Sequence, residues 1–105
     1  MQPPRSNLIY LAPAREDILN IARYHLEKVD VNSARNITDE IERNIDRLAQ
    51  FPLMGQTHPD SVLAESGYRK LVVTSLYVCI YRVMEDGIYI YRVVNGKIDY
   101  PRLLK

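Results

Sequence analysis

Basic and aromatic residues alternate along the last third of the chain. The residues with cationic or tyrosine side chains there include Arg69, Lys70, Tyr77, Tyr81, Arg82, Tyr89, Tyr91, Arg92, Lys97, Tyr100 and Arg102. Such a mixture can hold phosphates and stack on bases. It is equally typical of protein interfaces, where tyrosine and arginine are enriched. The modest net charge of +1 favours the protein interface.

The charge is distributed unevenly between the two parts of the chain. Residues 1–66 carry 7 basic and 10 acidic side chains, whereas residues 67–105 carry 7 basic and 3 acidic ones. The C-terminal part is therefore the basic part. The asymmetry is mild, and it is weaker than the basic stripe of a dedicated nucleic-acid-binding domain.

The residues most often used in catalysis do not form a recognisable motif. His25 and His58 are far apart, and neither has a nearby nucleophile with an orienting acid. Cys79 is the only cysteine and lies in an apolar run, so we expect a buried hydrophobic side chain. There is no phosphate-binding glycine loop, paired-carboxylate motif or zinc-ligand spacing. The sequence predicts neither a metal nor a cofactor.

The first half of the sequence predicts one strand and two helices. Asn7–Leu11 is typical of a short strand, and Pro13 suits the first turn of a helix. Apolar residues recur with helical spacing over Ala14–Val29 and again over Ala34–Leu48. Phe51–Gly55 ends the second helix, because proline cannot continue it. A very short connection between the helices predicts an antiparallel hairpin.

The second half predicts three consecutive strands, at Tyr68–Thr74, Tyr77–Met84 and Ile88–Val94. Residues 55–66 are expected to form a polar loop. Asp86–Gly87 predicts a tight turn between the last two strands. The order β-α-α-β-β-β indicates an α+β fold, with an antiparallel sheet and a helical hairpin packed on one face. A length of 105 residues fits a single domain over 1–105.

The last two predicted strands are apolar or aromatic on both faces. Arg82 and Arg92 are their only charged residues. An antiparallel sheet with one wet face normally alternates between apolar and polar residues. The second face should therefore be covered by the chain's own tail, by another copy or by a partner. Alternatively, tyrosine hydroxyls let that face tolerate water.

The N-terminal segment Met1–Asn7 has no apolar core of the kind found in signal peptides. No apolar run approaches the roughly 18 residues needed to cross a membrane. We therefore expect a cytoplasmic protein with no membrane association.

Several segments, in this order and spacing, resemble the RelE/ParE superfamily of type II toxins across essentially the whole chain. The early segment is Ala12–Ile18, and the middle one is Phe51–Gly55. The late segments are Tyr68–Leu71, Tyr81–Ile88 and Arg92–Asp99. The resemblance implies a small toxin neutralised by an antitoxin whose helix and extended segment wrap around it.

The superfamily has two branches with different activities. The RelE-like members are ribosome-dependent mRNA endoribonucleases, and they use basic residues and a tyrosine for cleavage. The positions matching two of their arginines are Val78 and Ile98 here. A nuclease of this type would have to rely on Lys97, Tyr100 and Arg102. ParE-like toxins act on DNA gyrase instead, and the Phe-Pro motif and the Arg-Val strand ending are more typical of that branch.

The resemblance therefore favours a gyrase-directed toxin that acts by binding and not by catalysis. The alternatives are a ribosome-dependent ribonuclease and an inactive protein that only binds its antitoxin. All three imply an antitoxin partner on the tyrosine-rich surface. The residues expected to bind partners are Arg69, Tyr77, Tyr81, Arg82, Tyr89, Tyr91 and Arg92.

Overall fold

The computed structural model describes residues 6–98 and 100–104. The elements in chain order are β1 (Leu8–Tyr10), α1 (Ala12–Lys28), α2 (Val31–Asp46), β2 (Gln56–Thr57), α3 (Ser61–Glu65), β3 (Arg69–Val72), β4 (Tyr77–Met84) and β5 (Gly87–Asn95). Short 3-10 turns at Arg47–Ala49 and Pro101–Leu103 follow α2 and β5. The predicted α+β class is confirmed.

The five strands form one sheet in the order β1-β5-β4-β3-β2. The last four strands along the chain pair antiparallel, and the predicted antiparallel arrangement is confirmed for β3, β4 and β5. The sheet as a whole is nevertheless mixed, because β1 pairs parallel with β5, from Leu8 opposite Ile88 to Tyr10 opposite Ile90. Most of the chain separates these two strands, so no turn between them dictates their direction.

The two long helices form a hairpin separated by Val29 and Asp30. The Asp30 side chain caps α2 by accepting the Ser33 amide at 2.7 Å. Helix α1 has no side-chain cap at Leu11, but Pro13 lies in its first turn, where the missing N–H costs little. The helices pack on each other and on one face of the sheet.

The main core lies between the helical hairpin and this helix-side face. The helices contribute buried aliphatic side chains, chiefly Ile21, Ile41, Ile45 and Leu48. The strands contribute alternate residues of β4 and β5, namely Tyr77, Cys79, Tyr81, Ile88, Ile90 and Val93. A bulge leaves Tyr91 without a cross-strand partner, because Ile80 pairs with Arg92 while Tyr81 pairs with Ile90.

The chain's own tail covers part of the opposite, outer face. Tyr100 packs there on Val78, Ile80 and Val94, with Leu104 at the margin. Of the covers considered from the sequence, the tail is the one the structure contains. It covers only the part of the outer face nearest the start of β4.

The segment over residues 55–66 differs from the predicted loop. Gln56–Thr57 adds a two-residue strand beside β3, and Ser61–Glu65 forms a short helix. Asp60 caps this helix by accepting the amides of Val62 and Leu63. The prediction was wrong because two- and five-residue elements are too short to show a period.

Gly87 opens β5 immediately after the turn at Glu85 and Asp86, so the predicted hairpin is confirmed. Gly87 itself has a positive φ of 157°, a conformation that other residues rarely adopt, whereas Glu85 and Asp86 do not have a positive φ. A Cβ on Gly87 would lie 2.9 Å from the Asn7 carbonyl oxygen. Glycine is needed here both for its positive φ and because the chain leading into β1 approaches so closely.

Candidate binding surfaces

The uncovered part of the outer face carries a cluster of three tyrosines around one arginine. We call Tyr68, Arg82, Tyr89 and Tyr91 the tyrosine patch. The Arg82 guanidinium carbon lies 5.3 Å from the Tyr68 ring centre and 5.9 Å from that of Tyr91. The two rings meet edge to face at 4.9 Å. Tyr89 stands opposite Arg82 on the neighbouring strand, so both side chains share a face.

Arg82 has unused hydrogen-bonding capacity. Its Nη1 donates to the Tyr91 hydroxyl at 3.3 Å, and its buried Nε has no partner. None of the described residues supplies a carboxylate to this guanidinium. A cation held between two aromatic rings and lacking a counter-ion is suited to a carboxylate from another molecule.

Two of the residues predicted to bind a partner are instead part of the core. Tyr81 is 0% exposed, and its hydroxyl donates to the Pro52 carbonyl oxygen at 2.8 Å and accepts the Gly55 amide at 3.0 Å. Tyr77 is also buried, with its hydroxyl 3.4 Å from Nε2 of His25. Both side chains face the helices and not the outer surface, so neither is available to a partner.

Two other arginines from the same set are bound within the molecule, although the buried Nε of Arg69, like that of Arg82, has no partner. Arg92 forms an ion pair with Asp17. Arg69 donates from Nη2 to the carbonyl oxygens of Gly55, at 2.6 Å, and Leu53, at 3.3 Å. Both side chains position neighbouring segments. Of the seven predicted residues, Arg82, Tyr89 and Tyr91 lie together on the tyrosine patch.

The loop at residues 51–55 forms a second exposed surface. Phe51 is 58% exposed and Leu53 is 68% exposed. An open recess of about 620 Å³ is lined by Arg47, Gln50, Phe51, Pro52, Leu53 and Met54. The sequence analysis interpreted the Phe-Pro motif as a helix ending and as a family marker, and not as a binding surface. Nothing in its pattern showed that Phe51 would point outward.

The tail is fixed to the outer face by a buried pair that the sequence analysis did not join. Nε2 of His58 lies 2.9 Å from the Tyr100 hydroxyl, and Nδ1 accepts the Asp60 amide at 3.0 Å. The proton therefore belongs on Nε2, which donates to Tyr100. Burial lowers the pKa of His58, and burial raises the pKa of Tyr100.

The positions relevant to RNA cleavage are not assembled into an open site. Val78 is only 5% exposed and lies beneath the tail, whereas Ile98 is half exposed. Tyr100 is buried, while Lys97 and Arg102 are exposed. The three residues that a nuclease would require are thus divided between the interior and the surface.

In the part of the chain that the structure describes, no group of three or more histidine, cysteine or acidic side chains is placed to hold a metal ion. No helix in residues 6–98 is long and apolar enough to cross a bilayer.

The fold and the late motifs agree with a known toxin family. A family model described as "ParE toxin of type II toxin-antitoxin system, parDE" matches residues 8–100. The chain belongs to this ParE toxin family. The match covers both the tyrosine patch and the loop at residues 51–55. No curated protein matches the chain significantly.

Solved structures of the wider superfamily share the fold. A toxin–antitoxin structure described as the chromosomal ParDE system from P. aeruginosa matches with a TM-score of 0.74 and 21% identity, covering 87% of this chain and 96% of that one. The E. coli DinJ-YafQ complex matches at 0.61 and 15% identity, covering 96% and 99%. The YoeB/ParE toxin from Agrobacterium tumefaciens matches at 0.59 and 16%, covering 86% and 98%. At these identities the likeness concerns the fold alone.

Proposed function

We propose that this ParE-family chain inhibits growth by binding DNA gyrase, and that a cognate antitoxin neutralises it. Membership of the ParE family supports a toxin role. The choice of gyrase follows the ParE branch of the superfamily. In this proposal the chain is a binding protein and performs no chemical step.

The observation that carries the proposal is that the outer face around Val78 is apolar and covered by the tail. A nuclease without a metal must stabilise phosphate charge with preorganised cations. Here the position is apolar, lies beside Ile80 and Val94, and is covered by Tyr100. Losing one such electrostatic group typically lowers the rate by about 10²-fold or more.

The ribonuclease alternative meets a second obstacle in the tail. Tyr100 would have to act on a ribose hydroxyl, yet its own hydroxyl is buried against His58. Lys97 and Arg102 are exposed, so an RNA bound to them on the surface would not reach the buried Tyr100 hydroxyl. The inactive, antitoxin-binding alternative differs from our proposal only in leaving cells and gyrase unaffected.

The tyrosine patch supports the antitoxin half of the proposal. Tyrosine, arginine and methionine are enriched at interfaces, whereas lysine and acidic residues are depleted. The patch combines three tyrosines with an arginine lacking a counter-ion, and Met84 lies exposed at the end of the same strand. An amphipathic antitoxin segment could lay apolar side chains on the rings and a carboxylate on Arg82.

Purified chain added to a gyrase supercoiling assay tests the proposal. We expect supercoiling to stop, and we expect DNA synthesis to fall before protein synthesis in cells that are pulse-labelled after induction. If a large excess of the purified chain left gyrase activity unchanged although its expression still stopped growth, gyrase would be excluded as the target. Early loss of protein synthesis with cleaved mRNA would establish the ribonuclease, and harmless expression would establish the inactive form.

A further inference from the structure

The loop at residues 51–55 presents two large apolar side chains to solvent. Leu53 is the most exposed large apolar side chain in residues 6–98 and 100–104, and Phe51 is the chain's only phenylalanine. A single exposed leucine is ordinary on a protein surface. Two such side chains within three residues, beside Pro52 and the partly buried Met54, form a contiguous apolar surface of the kind that marks an interaction site.

Hydrogen bonds from beneath hold this loop in one conformation. The Tyr81 hydroxyl contacts the loop backbone twice, at Pro52 and at Gly55. Arg69 donates to the carbonyl oxygens of Leu53 and Gly55. The backbone amide of Met54 also donates to the Phe51 carbonyl oxygen at 3.0 Å. A loop that is already ordered loses little conformational entropy on binding, so its apolar side chains can contribute fully to affinity.

The charge around the recess indicates what kind of surface would fit it. Arg47 is the only charged residue lining the recess, and no acidic residue lines it. Arg69 adds a second positive charge at the base of the loop. The complementary surface therefore has an apolar pocket for Phe51 and Leu53, bordered by carboxylates.

The loop is separate from the tyrosine patch. Tyr81, which supports the loop, faces the helix side of the sheet, whereas its neighbour Arg82 faces the outer side. One partner on the patch and another on the loop would therefore approach different surfaces. A partner that binds only the patch would therefore leave the loop free for the target.

We propose that Phe51 and Leu53, with Arg47 beside them, form the surface that engages the toxin's protein target. The two apolar side chains enter an apolar recess on the target, and Arg47 pairs with a carboxylate at its border. This inference rests on the proposed function, in which the target is gyrase.

The test compares the variant Phe51→Ala/Leu53→Ala with the wild-type chain in the gyrase supercoiling assay. The matched control is Leu26→Ala/Val29→Ala, which removes two exposed apolar side chains, one from the last turn of α1 and one from the residue after it. We expect the loop variant to need at least about tenfold more protein for half-maximal inhibition, as is typical of interface hot spots. The control should match the wild type, and all three proteins should keep the same thermal midpoint.

Salt dependence tests the role assigned to Arg47. We expect Arg47→Ala to weaken inhibition by a smaller factor that shrinks as salt concentration rises, because screening reduces the ion pair. If Arg47→Ala inhibited gyrase as strongly as the wild type at low salt, the proposed pairing of Arg47 with a carboxylate of the target would be wrong. Equal potency of the loop variant and the wild type would overturn the loop as the target surface while leaving gyrase as the target. A wild-type chain that leaves gyrase unaffected would overturn the proposed function and this inference together.

Discussion

The Asp17 carboxylate on α1 holds the Arg92 guanidinium on β5 through two hydrogen bonds, at 2.7 and 2.8 Å. The same carboxylate accepts the Val93 amide at 2.9 Å. Strand β1 pairs with β5 only as far as Ile90, so the β5 edge beyond that residue has no neighbouring strand. Asp17 therefore takes over the role of a strand partner there, and it ties the helical hairpin to the sheet.

Asp17→Asn should destabilise the fold. The substitution removes the ion pair and leaves the partly buried Arg92 without its counter-ion, whose hydrogen bond raises the pKa of Arg92. We expect the free energy of unfolding to fall by about 2 kcal/mol, as is typical of hydrogen bonds to charged groups. Urea denaturation measures this change. Glu16→Gln, on the adjacent exposed position, is the control, and equal stability of both variants would show that Asp17 has no such role.

Tyr81→Phe should loosen the loop at residues 51–55 while preserving the core. The ring remains packed, but the Pro52 carbonyl oxygen and the Gly55 amide each lose their bond to the hydroxyl. We expect a loss of about 1–3 kcal/mol in the free energy of unfolding, since buried polar groups are left unpaired. Faster hydrogen exchange at the Gly55 amide should accompany it. Unchanged exchange there would contradict the role of Tyr81 in ordering the loop.

Gly55→Ala should be destabilising because no space exists for a methyl group. The new Cβ would lie 2.7 Å from both the Lys70 carbonyl oxygen and the Tyr81 hydroxyl. We expect a cost of about 1–3 kcal/mol, as for other overpacked sites, measured by thermal or urea unfolding. Gly96→Ala is the matched control, because its closest contact is a Val78 methyl group at 3.2 Å, which can shift more easily. A control that costs as much as Gly55→Ala would argue against this explanation.

The stability of the tail should depend on pH through His58. Burial lowers the pKa of His58 in the folded protein below its usual value of about 6.5. The unfolded chain therefore binds the proton more readily than the folded one. The contribution of His58 to the free energy of unfolding is fully present above about pH 6.5 and is lost as the pH falls below that value. Protonation also puts a donor on Nδ1, which now accepts the Asp60 amide.

Urea denaturation between pH 5.5 and 7.5 measures this dependence. We expect His58→Gln to be less stable than the wild type at pH 7.5 but to show a flatter pH profile. Tyr100→Phe is the control, because it removes the hydroxyl while keeping the ring that buries His58. Wild-type and His58→Gln profiles of equal slope would assign the pH dependence to other groups.

Tyr91→Ala should weaken the complex with the antitoxin. The substitution removes one of the two rings that hold Arg82, together with its hydroxyl contact. We expect at least about a tenfold increase in Kd, measured by calorimetry with the purified antitoxin. Tyr89→Ala should have a smaller effect, because the Tyr89 hydroxyl is engaged with Asp86 at the edge of the patch. Unchanged affinity in both variants would place the antitoxin on another surface.

Long periodic segments and turn residues were predictable. The apolar spacing over 14–29 and 34–48 indicated both helices, and the alternation of strand and turn residues indicated β3, β4 and β5. The patch residues Arg82, Tyr89 and Tyr91 were among the candidates for partner binding, because tyrosine and arginine are common at interfaces. Tyr68 was missed, although it opens the motif that led to the family.

The tertiary structure decided which face of the sheet each strand residue occupies and which distant segments pair. The sequence by itself determined the helices, the late strands and the ParE-like motifs, because these depend on local spacing. It did not determine that β1 lies parallel to β5, that Tyr81 is buried while Arg82 is outward, or that His58 meets Tyr100. A bulge or a one-residue change of register reverses the face of a strand residue, and contacts between distant segments depend on packing that no local pattern records.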